Sequence, residues 1–562
     1  MENQKELIND KKRNKLELLI FIAILVISSI VMFFFMSKKE GWHCDEIFSY
    51  GSSNCYFENT LHPYGEKDSI RIFLENDVFN GSFSDGIKNL KYYYIDHSDE
   101  RHEKMDELMA NETPIWRTRE DAEDYVKAGE NRFNYISVYY NQLKDVHPPL
   151  FYMLVHTLSS IFNNTFSKYI IFFVSLPFFL ATCYFLRKIF IVIDRKEIAL
   201  IGVGLYAFSM GAISTMMFQR MYMMLTFFTT VYLYIHLLIR KNDYDTTKKT
   251  RLALFGVTVL GFLTQYYFCV YAVFIALVMT VLFIKKKKYK ELFRYIRTLV
   301  ISAFVGLLIF PFAIQHIFFS YRGVSSFGNT GYLDRLFEFG KNIVEAFGCN
   351  NMIALAMIIL AIFSNALKRK KNIDILVIIA VPVVLYVLVI SKIAPYLEIR
   401  YIMNILPIIA MMMVMLISGI FENKFYNTLL AFVLVTLITI YSFIFIKPMF
   451  LYEGYQEYID ISEKYSEDSV VFVGYTFFNH IQSVPEFMNY KQTLMLSKDQ
   501  LDLTKDDEVL ESSNEFILIV NKYLGNEEVL KTVMENTGYS QYELLYYGDA
   551  KGIDNCVYRV YR

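Results

Sequence analysis

The sequence predicts a polytopic α-helical membrane protein carrying a small α/β domain at its C-terminus. Three observations predict it. Hydrophobic residues make up 54% of the 562-residue chain and gather in blocks. A bilayer-crossing helix needs about 20 apolar residues, and runs of that kind recur from Leu18 to Ile446. From about Leu451 onward the blocks give way to short alternating strand and helix patterns. The division therefore falls between a membrane domain, residues 1–448, and a C-terminal domain, residues 449–562.

The first apolar run, Leu18–Met36, lacks a small-residue cleavage pattern and reads as a retained helix. Lys5, Lys11, Lys12, Arg13 and Lys15 precede it, and positive flanks stay cytoplasmic. The N-terminus is then inside, and residues 37–147 form a large outer loop. Between Gly41 and His147 stand 21 Asp and Glu against 11 Lys and Arg, as suits an external segment. Residues 148–162 are apolar but short and read as a juxtamembrane helix, with a short span as the other reading. Further spans fit 168–190, 197–217, 219–240, 252–265, 267–284, 297–319, 350–367, 373–391, 400–421 and 426–446. Arg187, Lys188, Arg240, Lys241, Lys285–Lys288 and Lys368–Lys371 all fall on one side under this assignment. About eleven spans result, which leaves the C-terminal domain extracytoplasmic. No short-period repeat appears, so an inverted-repeat transporter lacks support.

In the C-terminal domain, residues 470–474, 516–520, 542–547 and 557–561 read as strands. Residues 452–465 and 527–536 read as helices between them, the pattern of an α/β domain. No phosphate-binding glycine fingerprint occurs there. The net charge of −1 gives no sign of nucleic-acid binding. The six cysteines form no CxxC pair, which argues against a zinc cluster. Cys44 and Cys55 share the outer loop, as a disulfide or as two free thiols.

The candidate chemical residues sit at the predicted outer ends of the spans. Asp45 and Glu46 follow the first span in Gly41-Trp42-His43-Cys44-Asp45-Glu46. Carboxylates at that depth are costly to desolvate and are functional or paired, and one held there suits a general base. The bland reading is a solvated pair opening a surface helix. Asp145-Val146-His147-Pro148-Pro149 presents His147 ahead of a proline-started helix. It suits a divalent metal, a phosphate or a hydroxyl, or is an incidental histidine at a helix start. Gln219-Arg220-Met221-Tyr222 and Arg400-Tyr401 offer guanidinium forks for a phosphate, or arginines snorkelling to head groups. Lys392 and Glu398 lie near the latter. Gln265-Tyr266-Tyr267 lines a groove or belongs to an interface belt. His316 is a weaker candidate, and Met411–Met415 reads as packing. Carboxylate, histidine and arginines converging on one membrane face suit a lipid-linked phosphate.

Read in order, these stretches resemble membrane glycosyltransferases of the type-C fold, which use polyprenyl-phosphate sugars. The likeness is to bacterial relatives of protein O-mannosyltransferases and of the lipid A aminoarabinose transferase. It rests on Asp45-Glu46, His147-Pro148-Pro149-Leu150-Phe151-Tyr152, Gln219-Arg220-Met221-Tyr222, Gln265-Tyr266-Tyr267-Phe268, and Arg400-Tyr401 ahead of Pro407. The resemblance implies that Asp45 is the catalytic base of an inverting transfer and that Glu46 supports it. It implies that Asp145, His147, Arg220, Tyr222, Tyr266, Arg400 and Tyr401 bind substrate or phosphate. A divalent ion near His147, with Asp145, is implied for some relatives. The implied partners are a polyprenyl-phosphate sugar donor, membrane lipids, and a glycan, lipid or protein acceptor outside the cytoplasm. Two departures stand out: many relatives are acidic where this chain has Gln219, and carry histidine where it has Gln265. A polar-lipid flippase is the rival reading, but the ionisable residues gather at span ends instead of the midplane. A non-catalytic membrane scaffold is the other.

Overall fold

The computed structural model describes residues 2–58, 73–101, 103–104, 114–144, 146–318, 330–348, 373–418, 423–548 and 554–562. They form two compact units. One comprises Met1–Ser37, Val146–Phe151 and Lys168–Met449; the other comprises Lys38–Asp145, Tyr152–Ser167 and Phe450–Arg562.

The first unit is helical. Seven helices among the described residues are long and apolar enough to cross a membrane: Lys12–Lys38, Lys168–Val192, Tyr222–Lys241, Tyr267–Lys285, Tyr289–Ile309, Ile373–Ile393 and Lys424–Phe445. An eighth apolar stretch is a bent helix pair. Lys196–Ala207 and Met210–Met217 meet at 49°, because Ser209 caps the second piece by accepting a hydrogen bond from the Ala212 amide at 3.1 Å. The span expected at 252–265 is the 15-residue helix Lys248–Phe262. That expected at 400–421 shortens to Leu406–Ile417 behind two 3₁₀ turns. The span expected at 350–367 lies outside the described residues.

Tyr222–Lys241 is the centre of the bundle, 83% buried across its apolar window against 22% for Tyr289–Ile309. Outer helices turn Phe304, Leu308 and Phe432 outward, which lipid tolerates because the backbone polar groups are satisfied within each helix. Thr226 and Thr230 return their hydroxyls to the Tyr222 and Thr226 carbonyls. Charges that the sequence assigns to the cytoplasmic side meet one another: Arg187 and Lys196 both pair with Glu17, at 2.8 and 2.9 Å.

The second unit is α/β. Its strands are β1 (Trp116–Thr118), β2 (Ser469–Val473), β3 (Gln492–Leu496), β4 (Glu515–Asn521), β5 (Gln541–Tyr546) and β6 (Asn555–Tyr561). They form one sheet in the order β1-β3-β2-β4-β6-β5. β3, β2 and β4 run parallel, and the remaining pairs are antiparallel. Val471, Val473, Leu518, Val520 and Val560 bury one face with Val529 and Val533 of the helix Asn526–Thr537. Each such side chain contributes about 1.5–3 kcal/mol.

β1 comes from the outer loop. It pairs Trp116 with Leu494 and Thr118 with Gln492. Arg119 follows and donates to the carbonyls of Tyr490, Ser466 and Asn489 at 2.7–3.2 Å. The loop helix Cys44–Asn54 packs on Arg119–Val126 at Gly51, where a Cβ would stand 2.1 Å from the Tyr125 ring. Neither Cys44 nor Cys55 is in a disulfide. The helix between them explains why: at about 1.5 Å rise per residue it holds them roughly 16 Å apart, beyond the ~7 Å a disulfide spans.

Candidate functional site

Four sequence-predicted stretches come together in the helical unit. Arg220 lies in the break between Met210–Met217 and Tyr222–Lys241, where the chain turns tightly and the Arg220 amide donates to the Phe218 carbonyl at 2.7 Å. Its Nη2 stands 3.3 Å from His147 Nε2. His147 is held by the two prolines after it and by the Leu150 amide, which donates to the Leu263 carbonyl at 3.1 Å. Both side chains are buried.

Arg400 occupies the 3₁₀ turn Ile399–Tyr401 and is buried as well. Its fork engages Glu398 twice, at 3.0 and 3.2 Å. The guanidinium carbon stands 5.9, 5.4 and 5.2 Å from the Phe218, Tyr396 and Tyr401 ring centres, within cation–π reach. Phe218 stacks on Tyr222 at 5.6 Å. Tyr401 meets Tyr267 edge to face at 5.4 Å. His147, Arg220, Tyr222, Arg400, Tyr401 and Tyr267 thus form one connected cluster. Tyr266 turns aside, its hydroxyl 3.0 Å from His316 Nδ1.

The cluster joins two guanidiniums, one carboxylate and several aromatic faces in a low-dielectric setting. Buried guanidiniums are expensive unless matched by acceptors, and a phosphate is a strong bidentate match. Gln219 has a local duty: its amide donates to the Lys168 carbonyl at 2.5 Å. Asp145 lies outside the described residues.

The acidic pair lies in the α/β unit. His43 caps the helix Cys44–Asn54, its Nδ1 accepting from the Asp45 amide at 3.0 Å. Glu46 completes the capping box by accepting from the His43 amide at 2.8 Å. Both carboxylates therefore sit in the first turn, at the positive end of the helix dipole. Their surroundings differ sharply. Glu46 is fully buried, and Lys39, equally buried, reaches its two oxygens at 3.1 and 3.0 Å. The Asp45 side chain stays 17% exposed, with Oδ2 3.8 Å from His43 Nδ1.

His43, Cys44 and Asp45 bring ligand atoms within 4.8 Å of one another, the described group nearest to a metal cradle. Nδ1 of His43 accepts from the Asp45 amide in the helix cap, and Nε2 of His147 lies beside the Arg220 guanidinium.

No protein-family model and no curated protein matches this chain. Among solved structures, two crystal structures of ArnT from Cupriavidus metallidurans are similar to it. One is bound to undecaprenyl phosphate, with a TM-score of 0.44. The other is in the apo state, with a TM-score of 0.45. Each is 10% identical in sequence, and each match covers 73% of this chain and 87% of that one.

Three residues of the acidic site escaped sequence reasoning: Lys39, His43 in its capping role, and Cys44. A signal for Lys39 was present. Lys38 and Lys39 stand at the end of the first span that the sequence assigns to the outside, against the positive-inside pattern, and a lysine out of place there calls for a partner.

Proposed function

We propose that this protein is a membrane glycosyltransferase that moves a sugar from a polyprenyl-phosphate donor to a hydroxyl of an extracytoplasmic acceptor, with inversion. The observation that supports it most is the cluster joining His147, Arg220, Phe218 and Arg400 within a multi-span bundle. Buried guanidiniums backed by aromatic rings suit a phosphate attached to an apolar chain.

Asp45 takes the proton from the acceptor hydroxyl as that oxygen bonds to the anomeric carbon. The bond from that carbon to the phosphate oxygen breaks, and polyprenyl phosphate departs with the electron pair. Arg220 and Arg400 oppose the charge that develops on the leaving phosphate. Tyr222 and Tyr401 line the donor, and His147 orients Arg220. Glu46 holds the helix start that presents Asp45. Fixed positioning of the reactants lowers the barrier by about 7–11 kcal/mol at most.

The test is transfer of radiolabelled sugar from polyprenyl phosphate by the purified, liposome-reconstituted protein, with products resolved by mass spectrometry. The parent forms a glycosylated product and Asp45→Asn does not. Equal transfer by both ends the proposal, and uptake of lipid with no covalent product replaces it with a flippase.

A further inference from the structure

The segment bearing Asp45 is strapped to the opening of the C-terminal domain. Lys39 Nζ donates to the Phe450 carbonyl at 2.7 Å as well as to both Glu46 oxygens. An ammonium has three protons, and here three acceptors meet them. The Glu40 amide donates to the Leu451 carbonyl at 2.8 Å, and the Gly454 amide donates to the Glu40 carboxylate at 2.6 Å. Gln482 Nε2 donates to the Trp42 carbonyl at 3.1 Å. The backbones approach so closely that a Cβ on Gly41 would stand 2.3 Å from the Tyr455 ring.

We infer that Lys39 is a positioning residue for Asp45, and that the C-terminal domain sets the aim of the base through it. Burying an ammonium costs several kcal/mol unless its acceptors are well placed. That cost is met here by two groups of different origin. Glu46 belongs to the capping box one residue from Asp45, while Phe450 belongs to the start of the C-terminal domain. The ammonium therefore fixes the first turn of helix Cys44–Asn54 against that domain. The far end of this helix is anchored separately. Asn54 donates to the Val126 carbonyl at 2.7 Å and to the Ser159 hydroxyl at 3.1 Å, and the Tyr50 hydroxyl donates to the Ser167 carbonyl at 2.6 Å. Loss of Lys39 loosens the end that carries Asp45 and leaves the far anchors in place. A displacement of about 1 Å at a catalytic group costs on the order of 10²-fold in rate.

This inference rests on Asp45 being the base, so parent transfer is measured first. Full-length Lys39→Met is then assayed in liposomes, with kcat expressed per folded molecule from gel filtration. The expected result is a fall in kcat of about 10²-fold with donor KM within about twofold, since the donor-phosphate groups are untouched. A purely structural role lowers the folded fraction and leaves kcat per folded molecule unchanged. Lys39→Met/Glu46→Gln removes both charges and recovers the folded fraction but not kcat. Gly41→Ala opens the same strap with the ion pair intact and lowers kcat in the same way, which keeps the test decisive if Lys39→Met does not fold. Parent-like kcat in any of these variants overturns the inference while leaving the transferase reading intact. A parent that transfers no sugar overturns both.

Discussion

The two buried charge clusters solve the same problem in opposite ways. In the α/β unit, Lys39 and Glu46 close on each other and on two backbone groups. In the helical unit, Arg400 lies among three aromatic rings, and Arg220 touches a histidine. The first arrangement spends its hydrogen-bonding capacity on holding a helix start. The second adds aromatic rings and a histidine to the Arg400–Glu398 pair, surroundings that suit a phosphate. Burial alone therefore does not separate scaffold from chemistry, whereas the nature of the neighbours does.

The sharpest way to break this contrast lies within one helical turn. Asp45→Asn should lower transfer by about 10²–10⁴-fold, the range for loss of a general base, with the thermal midpoint unchanged. Glu46→Gln should cost less in rate, about 10²-fold through the loosened Asp45 turn, and should cost stability as well. It leaves the Lys39 ammonium buried without its carboxylate, which costs about 3–5 kcal/mol and lowers the thermal midpoint by several degrees. If both variants lose rate and keep stability, Glu46 is part of the chemistry and the division between the two carboxylates is wrong.

On the arginine side, Arg220→Met should cost about 10²–10³-fold in kcat/KM for the lipid donor, and Arg400→Met less. Arg400 already pairs with Glu398 at two points, so its charge is partly spent. Steady-state kinetics with the donor varied reads this order directly. A larger effect at Arg400 would shift the phosphate site toward that turn.

Much of this was legible in the sequence, and the gaps have physical causes. The long spans stand out because lipid demands continuous apolar runs. The break at Ser209 does not, since a single serine in an apolar run looks like a tolerated polar residue until its cap is seen. Strands β2, β4 and β6 are apolar runs buried in the sheet and were readable. β1 has three residues, Trp116–Thr118, inside an acidic loop, and only its pairing with β3 gives it meaning. β3 was missed with it, because Gln492–Leu496 suits helix or strand equally. In the site, Asp45 and Glu46 look alike as neighbours in a string. Their separation depends on which one the helix cap turns toward Lys39, a matter of three dimensions. Arg220 and His147 are 73 residues apart, and each alone was ambiguous.

The smallest expected effect sharpens the comparison from a third place. Glu486, like Glu46, is fully buried in the α/β unit, but it lies among tyrosines, not beside a lysine. Burial, only partly countered by the Tyr455 hydroxyl, pushes its carboxyl up to about 8. Glu486 therefore keeps its proton at neutral pH. The folded state then binds more protons than the unfolded chain between the ordinary value of 4.5 and about 8. Stability from this group is complete below that window and is lost as pH rises through it, by about 1.4 kcal/mol per pH unit at most. His480 runs the other way: burial drives it down to about 4, so its penalty appears only as pH falls below its ordinary 6.5. Between pH 6.5 and 8 the opposing His480 contribution fades while that of Glu486 remains. Across this interval the thermal midpoint of the full-length protein should fall, and Glu486→Gln, which cannot ionise, should flatten that fall. A parallel fall in both would mean that Glu486 ionises without cost, and that a buried carboxylate in this unit needs no lysine.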